Sequence, residues 1–321
     1  MYFLQKLNRA TIDYPRTIEA YAEAPHAASR ALQIIPFLYF FLLYQAFSAF
    51  ASWQRMPLFT ADQFDPRWSV AWLEAFPFDH AVLIVTSLFL ASAFLAALFF
   101  KHRWARAAAF LGLFFYHGFM SSFGAPEHNL LMWVYPMLFC IFIPDVWDKP
   151  LDVLDRKKVL VAFLGVQAYI GVVYSMAGVS KLWRGLEQFV AGQAHVFSPD
   201  AFALHIADWL PTIGSPSLLG PMIVEHPLLG WSLFLGSLYF QVCTLYALFR
   251  PKLHLVWGVY LLLFYILNFL TMGIVYIDSF FLIAALWVFS PFDREEPFRE
   301  RVREMPLIGF LARHVLKYTA R

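Results

Sequence analysis

The 321-residue chain is 60% hydrophobic and 19% aromatic, with 14% charged residues and a mean hydropathy of +0.60. Soluble domains carry about 25% charged residues, so the composition excludes an ordinary globular enzyme and points to a polytopic membrane protein. The net charge of +2 arises from basic residues spread along the chain, with no basic patch shaped for a groove, and no nucleic-acid partner is expected.

Residues 1–31 carry Lys6, Arg9, Arg16 and Arg30 among scattered apolar residues, which predicts an amphipathic segment lying on the membrane surface. They lack a signal-peptide h-region, so no cleaved leader is expected. The first span is predicted over 32–53, long enough to cross about 30 Å of hydrocarbon. A loop follows with Arg55, Asp62, Asp65, Arg67 and Glu74, and its Trp68, Trp72 and Phe76 suit the membrane interface. Further spans are predicted at 80–100, 104–123, 127–145, 158–181, 228–249, 253–273 and 274–292. The fold class is therefore all-α, a bundle of about eight transmembrane helices with interfacial amphipathic helices. The domain layout is a cytoplasmic segment 1–31, a membrane domain 32–292 and a charged amphipathic tail 293–321. Segment 183–227, which opens with Trp183, Arg184, Glu187 and Phe189, is predicted as an amphipathic helix that gives way to irregular chain around Pro199, Pro211, Gly214 and Pro216.

Even spans with both ends cytoplasmic place twenty of the 24 Lys and Arg residues inside and leave Arg55, Arg67, Lys181 and Arg184 outside. On that topology segment 183–227 is extracytoplasmic, and a segment of that length suits a lid or binding element.

Gln167, Gly171, Tyr174, Gly178 and Lys181 fall on one stripe of the fifth span at about 100° per residue. Small and polar residues on one face of a spanning helix turn toward protein, which aims Lys181 into the bundle. The competing reading is a lysine snorkelling to the outer interface. Glu127-His128-Asn129 opens the fourth span, where His128 could donate to an anionic oxygen or cap the helix start. His117, deeper in the third span, reads as a hydrogen-bonded core histidine. Asn268, Tyr276 and Asp278 flank a tight hairpin at Met272-Gly273, and an acid at membrane depth is usually paired, with Lys181 or His128 as natural partners. These positions are expected at one outer level. Cys140 and Cys243 read as buried thiols, and no metal site is predicted. There is no HExxH, GxSxG, Walker loop or dinucleotide fingerprint. His117 and His254 could serve as haem ligands, but no spacing pairs them.

Tyr174-x-x-Ala177-Gly178-Val179-x-Lys181-Leu182 resembles the Y-x-x-A-G-V-x-K-L signature of vitamin K-dependent gamma-glutamyl carboxylases and their bacterial relatives with an HTTM-type membrane domain. Phe189-Val190-Ala191-Gly192 is similar to a downstream aromatic-Val-x-Gly element, with Phe189 where the family has tryptophan. Asn268-x-x-x-Met272-Gly273-Ile274 resembles the family's hairpin motif, and His128 is similar to its active-site histidine. The resemblance implies that Lys181 is a catalytic base on reduced menaquinone or vitamin K hydroquinone, and that His128 steadies the developing oxyanion. Tyr174, Gly178, Asn129, Asn268, Tyr276 and Asp278 would then line the quinone pocket. An amine held in an apolar pocket loses its proton more readily than in water, which suits that role. Dioxygen and carbon dioxide are the implied co-substrates. Membrane lipids, an isoprenoid quinone and a protein partner or substrate on the extracytoplasmic side are the implied partners. The β-rich extracytoplasmic region of the animal carboxylase has no counterpart, so the implied chemistry is the quinol half, near the outer face of a bacterial inner membrane. Two other function classes fit the same residues: a non-catalytic quinone-, lipid-binding or transport protein, and a quinone oxidoreductase.

Overall fold

A computed structural model describes residues 18–55, 59–124, 128–147, 151–193, 195–213, 217–292 and 296–309. All regular structure among them is helical, as the composition predicts. Helix α1 occupies the described residues 18–23. It is followed by α2 (Pro25–Arg55), α3 (Phe78–Phe99), α4 (Arg103–Met120), α5 (His128–Cys140) and α6 (Val153–Val190). Then come α7 (Ala201–Ile213), α8 (Gly220–Glu225), α9 (Pro227–Leu248), α10 (His254–Met272), α11 (Ile277–Ile283) and α12 (Phe298–Glu304). A π-helical turn, Ala284–Val288, prolongs α11.

Among the described residues five helices are long and apolar enough to cross a membrane: Pro25–Trp53 of α2, α3, α6, α9, and α10 with its leading turn from Pro251. The protein is an integral membrane protein. Three of the eight predicted spans fall short for identifiable reasons. Helix α4 carries Arg103 and Arg106 in only 18 residues. Helix α5 has 13 residues and the α11 region is divided into seven α-helical and five π-helical residues. Residues 1–17 and 310–321 of the predicted interfacial termini lie outside the described residues.

The described chain forms two compact units, one within residues 16–167 and one within 168–321. Helix α6 gives residues 153–167 to the first and 168–190 to the second.

In the first unit α3 packs between α2 and α4, and α4 packs on α5. One end is an aromatic cluster in which Trp53, Phe64, Phe119 and Phe123 meet, with ring centroids 5.2–6.1 Å apart. The other end is cationic and bound together by guanidinium groups. Buried Arg106 donates to the carbonyls of Phe100 (2.7 Å) and Ile143 and pairs with Asp145 at 2.8 Å. Arg156 donates to Ala22 O at 2.6 Å, and Lys157 pairs with Glu19 at 3.0 Å. Consecutive helices of this unit thus alternate in direction, because the chain ends tied by these cations are every second turn of the bundle.

In the second unit α9 and α10 are antiparallel neighbours, and Trp257 donates to Phe240 O across them at 3.1 Å. His254, fully buried, closes the turn between them: Nε2 meets Leu248 O at 3.0 Å and Nδ1 meets Ser290 Oγ at 2.7 Å. Both ring nitrogens are engaged, so the histidine weighed as a haem ligand has a structural post. The charged tail docks at the same end, where Arg301 donates to Lys252 O (2.9 Å) and Lys252 pairs with Glu296 (3.0 Å).

Segment 183–227 is more regular than predicted. Helix α6 runs unbroken past Lys181 to Val190, and Pro211 sits inside the last turn of α7, where the loss of its N–H and any kink leave little helix beyond to be disturbed. Helices α7 and α8 cover the α10–α11 hairpin, with Ile206 and Ile223 fully buried against Met272. The last carbonyls of a helix have no partner within the helix itself and need one from outside it. Here Leu219 N–H and Ser217 Oγ reach Leu270 O at 2.8 and 3.1 Å. Ser217 also reaches Thr271 O at 2.7 Å, and Trp209 Nε1–H reaches Met272 O at 2.9 Å. The cap is complete.

Candidate functional site

The stripe predicted on the fifth span faces protein. Gln167, Gly171, Tyr174 and Gly178 are buried, whereas Val172, Met176, Val179 and Trp183 on the opposite side are exposed. Gly178 makes the closest approach: a Cβ there would stand 2.7 Å from the backbone nitrogen of Val242. Small residues let spanning helices come this near. One turn earlier Ser175 Oγ takes the Leu245 N–H at 2.8 Å and donates to Val242 O at 3.3 Å, fastening α6 to α9. Tyr174 shares a short hydroxyl–hydroxyl hydrogen bond with Tyr265 of α10.

This packing brings Lys181, half-buried, against α9, where Nζ donates to Gln241 Oε1 at 2.9 Å. Gln241 is only 3% exposed. It lies fourteen residues after the first residue of α9 and seven before the last. At about 1.5 Å per residue that is ~20 Å from the Pro227 end and ~10 Å from the Leu248 end, so Lys181 does not share the level of Asn268 near the hairpin, contrary to the single outer level the sequence predicts. The amine is therefore held inside the span. The exposed apolar stripe on the far side of α6 also continues beyond it through Trp183, Leu186 and Val190, so α6 does not end where the lysine could snorkel.

Lys181 borders a cavity of about 200 Å³. Its long wall is one face of α10, with Tyr260, Phe264, Asn268 and Thr271 at helical spacing. Leu233, Phe234 and Ser237 of α9 face them, and Phe202 and His205 of α7 stand at the hairpin end. The walls are aromatic and aliphatic, with polar atoms at intervals. Such a lining suits a flat or elongated ligand oriented by a few hydrogen bonds.

Of the sequence-predicted site residues, Lys181 and Asn268 border this cavity together. They do so along its length, since Asn268 is four residues from the end of α10 and Lys181 meets the middle of α9. Tyr174 and Gly178 set the helix contact behind the lysine. The Tyr276 ring lies 5.6 Å from that of Tyr265, beside the Tyr174–Tyr265 pair. Asp278 is half-buried in the first turn of α11, and the hydrogen-bond partner of Lys181 is the Gln241 amide where an acid was expected. His128 and Asn129 begin α5, but their side chains, and all of Glu127, lie outside the described residues. Gly192 closes α6 with φ 66°, a left-handed cap conformation that glycine adopts without strain, and so has a structural reason to be there.

Sequence reasoning missed Gln241, Ser237, Tyr260 and His205. Ser237 and Gln241 are one turn apart in a largely apolar helix, the same polar-stripe signal that singled out the fifth span.

Comparison with family models, characterised proteins and solved structures finds no match.

Proposed function

We propose that the protein is a quinol-dependent membrane enzyme of the vitamin K-dependent carboxylase-like type, with Lys181 as its base. The observation that carries this reading is a lysine amine inside a spanning helix, opening on an aromatic-walled cavity and bonded to a neutral amide. A carboxylate partner would stabilise the ammonium form. Gln241 Oε1 instead accepts one N–H and leaves an uncharged amine a lone pair with which to take a proton. The residues suit a naphthoquinol ring: Phe234, Tyr260 and Phe264 offer apolar and aromatic walls, and Lys181, Ser237 and Asn268 offer partners for ring oxygens.

When bound, the reduced quinone supplies electrons for reaction with dioxygen. The chain's own residues do the rest. Gln241 orients Lys181 Nζ, the amine accepts a ring hydroxyl proton, and Asn268 offers an amide to an oxygen. The reading keeps His128 as a second participant that steadies developing negative charge. It places both termini on the cytoplasmic face of a bacterial inner membrane. The cationic end of the first unit, built on Arg106, Arg156 and Lys157, supports that orientation.

The test is oxygen-dependent conversion of reduced menaquinone to its epoxide in nanodiscs, with labelled carbon dioxide present. Wild type is expected to form epoxide and Lys181→Ala none; label fixed in a product would add carboxylation. His128→Ala is expected to lose about 10²–10³ in rate, as for removal of one oxyanion donor. Stoichiometric quinone binding without turnover would transfer the weight to a binding or transport protein. Electron transfer without oxygen insertion would make it an oxidoreductase.

A further inference from the structure

The Lys181 cavity has a shape that the quinol reading does not require. It follows α10 from Tyr260 to Met272, twelve residues or about 18 Å at ~1.5 Å per residue. Polar side chains recur along it. His205, exposed on α7, stands at one end; Asn268 and Thr271 follow, then Ser237, then Lys181 and Tyr260. Its volume is about 200 Å³, and a site holds water when polar partners are spaced through it.

The cap over the hairpin directs where such a file can open. Trp209 and Ser217 fix α7 and the following turn to the carbonyls of residues 270–272. Detaching that cap would strand those carbonyls. An opening beside His205 needs no such movement, because His205 is already exposed while Ile206, its neighbour in α7, is fully buried in the cap.

We propose that the cavity is a water-filled entry through which protons and small polar solutes reach Lys181 from the membrane face where α7 lies, with His205 at its mouth. The proposal rests on Lys181 as the functional group of the site and not on the identity of the quinone. His205 and Tyr260 are the other titratable side chains that border the file.

Accessibility labelling tests it without any turnover assay. In a full-length chain with Cys140 and Cys243 replaced by alanine, Ser237→Cys and Asn268→Cys are made singly, with Leu263→Cys on the exposed outer side of α10 as the lipid-facing control. Sealed vesicles are treated with a charged, membrane-impermeant methanethiosulfonate from either face. Both cavity cysteines are expected to react from the α7 face alone and Leu263→Cys from neither. A bulky His205→Trp change is expected to bring labelling at Ser237→Cys down to background. Reaction only with an apolar, membrane-permeant maleimide would overturn the proposal and make the cavity a lipid-side pocket. Failure of both reagents, or reaction from the opposite face, would overturn it as well. If Ser237→Cys does not fold, Thr271→Cys carries the same test nearer the mouth of the file. Epoxide formation with no aqueous labelling would sink this proposal alone, whereas labelling without epoxide would sink the quinol reading alone.

Discussion

Arg106 in the first unit and Lys181 in the second are both cations inside an apolar helical bundle, and their surroundings differ in kind. Arg106 is fully buried, and the two terminal nitrogens of its guanidinium donate to two backbone carbonyls and the Asp145 carboxylate, while Nε is left without a partner among the described residues. Lys181 has one acceptor among the described residues, an uncharged amide, and its amine borders open space. The first cation is consumed in joining the α3–α4 turn to the end of α5. The second is positioned with bonding capacity to spare. A membrane protein tolerates a buried charge at the cost of several kcal/mol only where something answers it. In the first unit the fold gives the answer, and in the second a ligand, water or a lost proton must.

Substitutions sharpen this contrast. Lys181→Met is expected to abolish epoxide formation while the unfolding temperature in detergent stays near that of wild type; a large drop in stability would place Lys181 in the same class as Arg106. Arg106→Ala should do the reverse, costing about 1–3 kcal/mol because it leaves the carbonyls of Phe100 and Ile143 without their donor, measured by thermal unfolding. Gly178→Leu should cost about 1–3 kcal/mol by overpacking against the Val242 backbone. Because that change displaces α6 from α9, it should also lower turnover, separating contact from chemistry. Trp209→Phe leaves Met272 O unanswered and should cost about 1–3 kcal/mol, with faster amide exchange confined to the hairpin cap. The smallest effect is expected at exposed Val179, where Val179→Ala should change stability by less than about 0.5 kcal/mol.

Much of the architecture was legible because hydrocarbon imposes a strong constraint on sequence. The starts of α3, α9 and α10 fall within two residues of the predicted spans at 80, 228 and 253. The polar stripe also told which face of α6 is buried, since Gly171, Gly178 and Lys181 could not all face lipid. Depth was the part that failed. Ending the fifth span at Lys181 treated the charge as a boundary, but the Gln241 partner lies on another helix, sixty residues away in sequence. With that acceptor the helix continues to Val190. The caps of the hairpin were equally hidden, because Trp209 and Ser217 read as loop residues until the carbonyls they answer are in place.

That cap also bears on how the chain is assembled. Trp209, Ser217 and Leu219 precede the carbonyls of Leu270, Thr271 and Met272 in sequence, so the ribosome delivers the cover before the turn that needs it. An α10–α11 pair inserted without residues 201–225 would lack the protein donors that answer those carbonyls. The order of synthesis thus provides the later hairpin with a ready receptor, and a chain lacking α7 and α8 should stall at insertion of its last helices even though every apolar segment is still present.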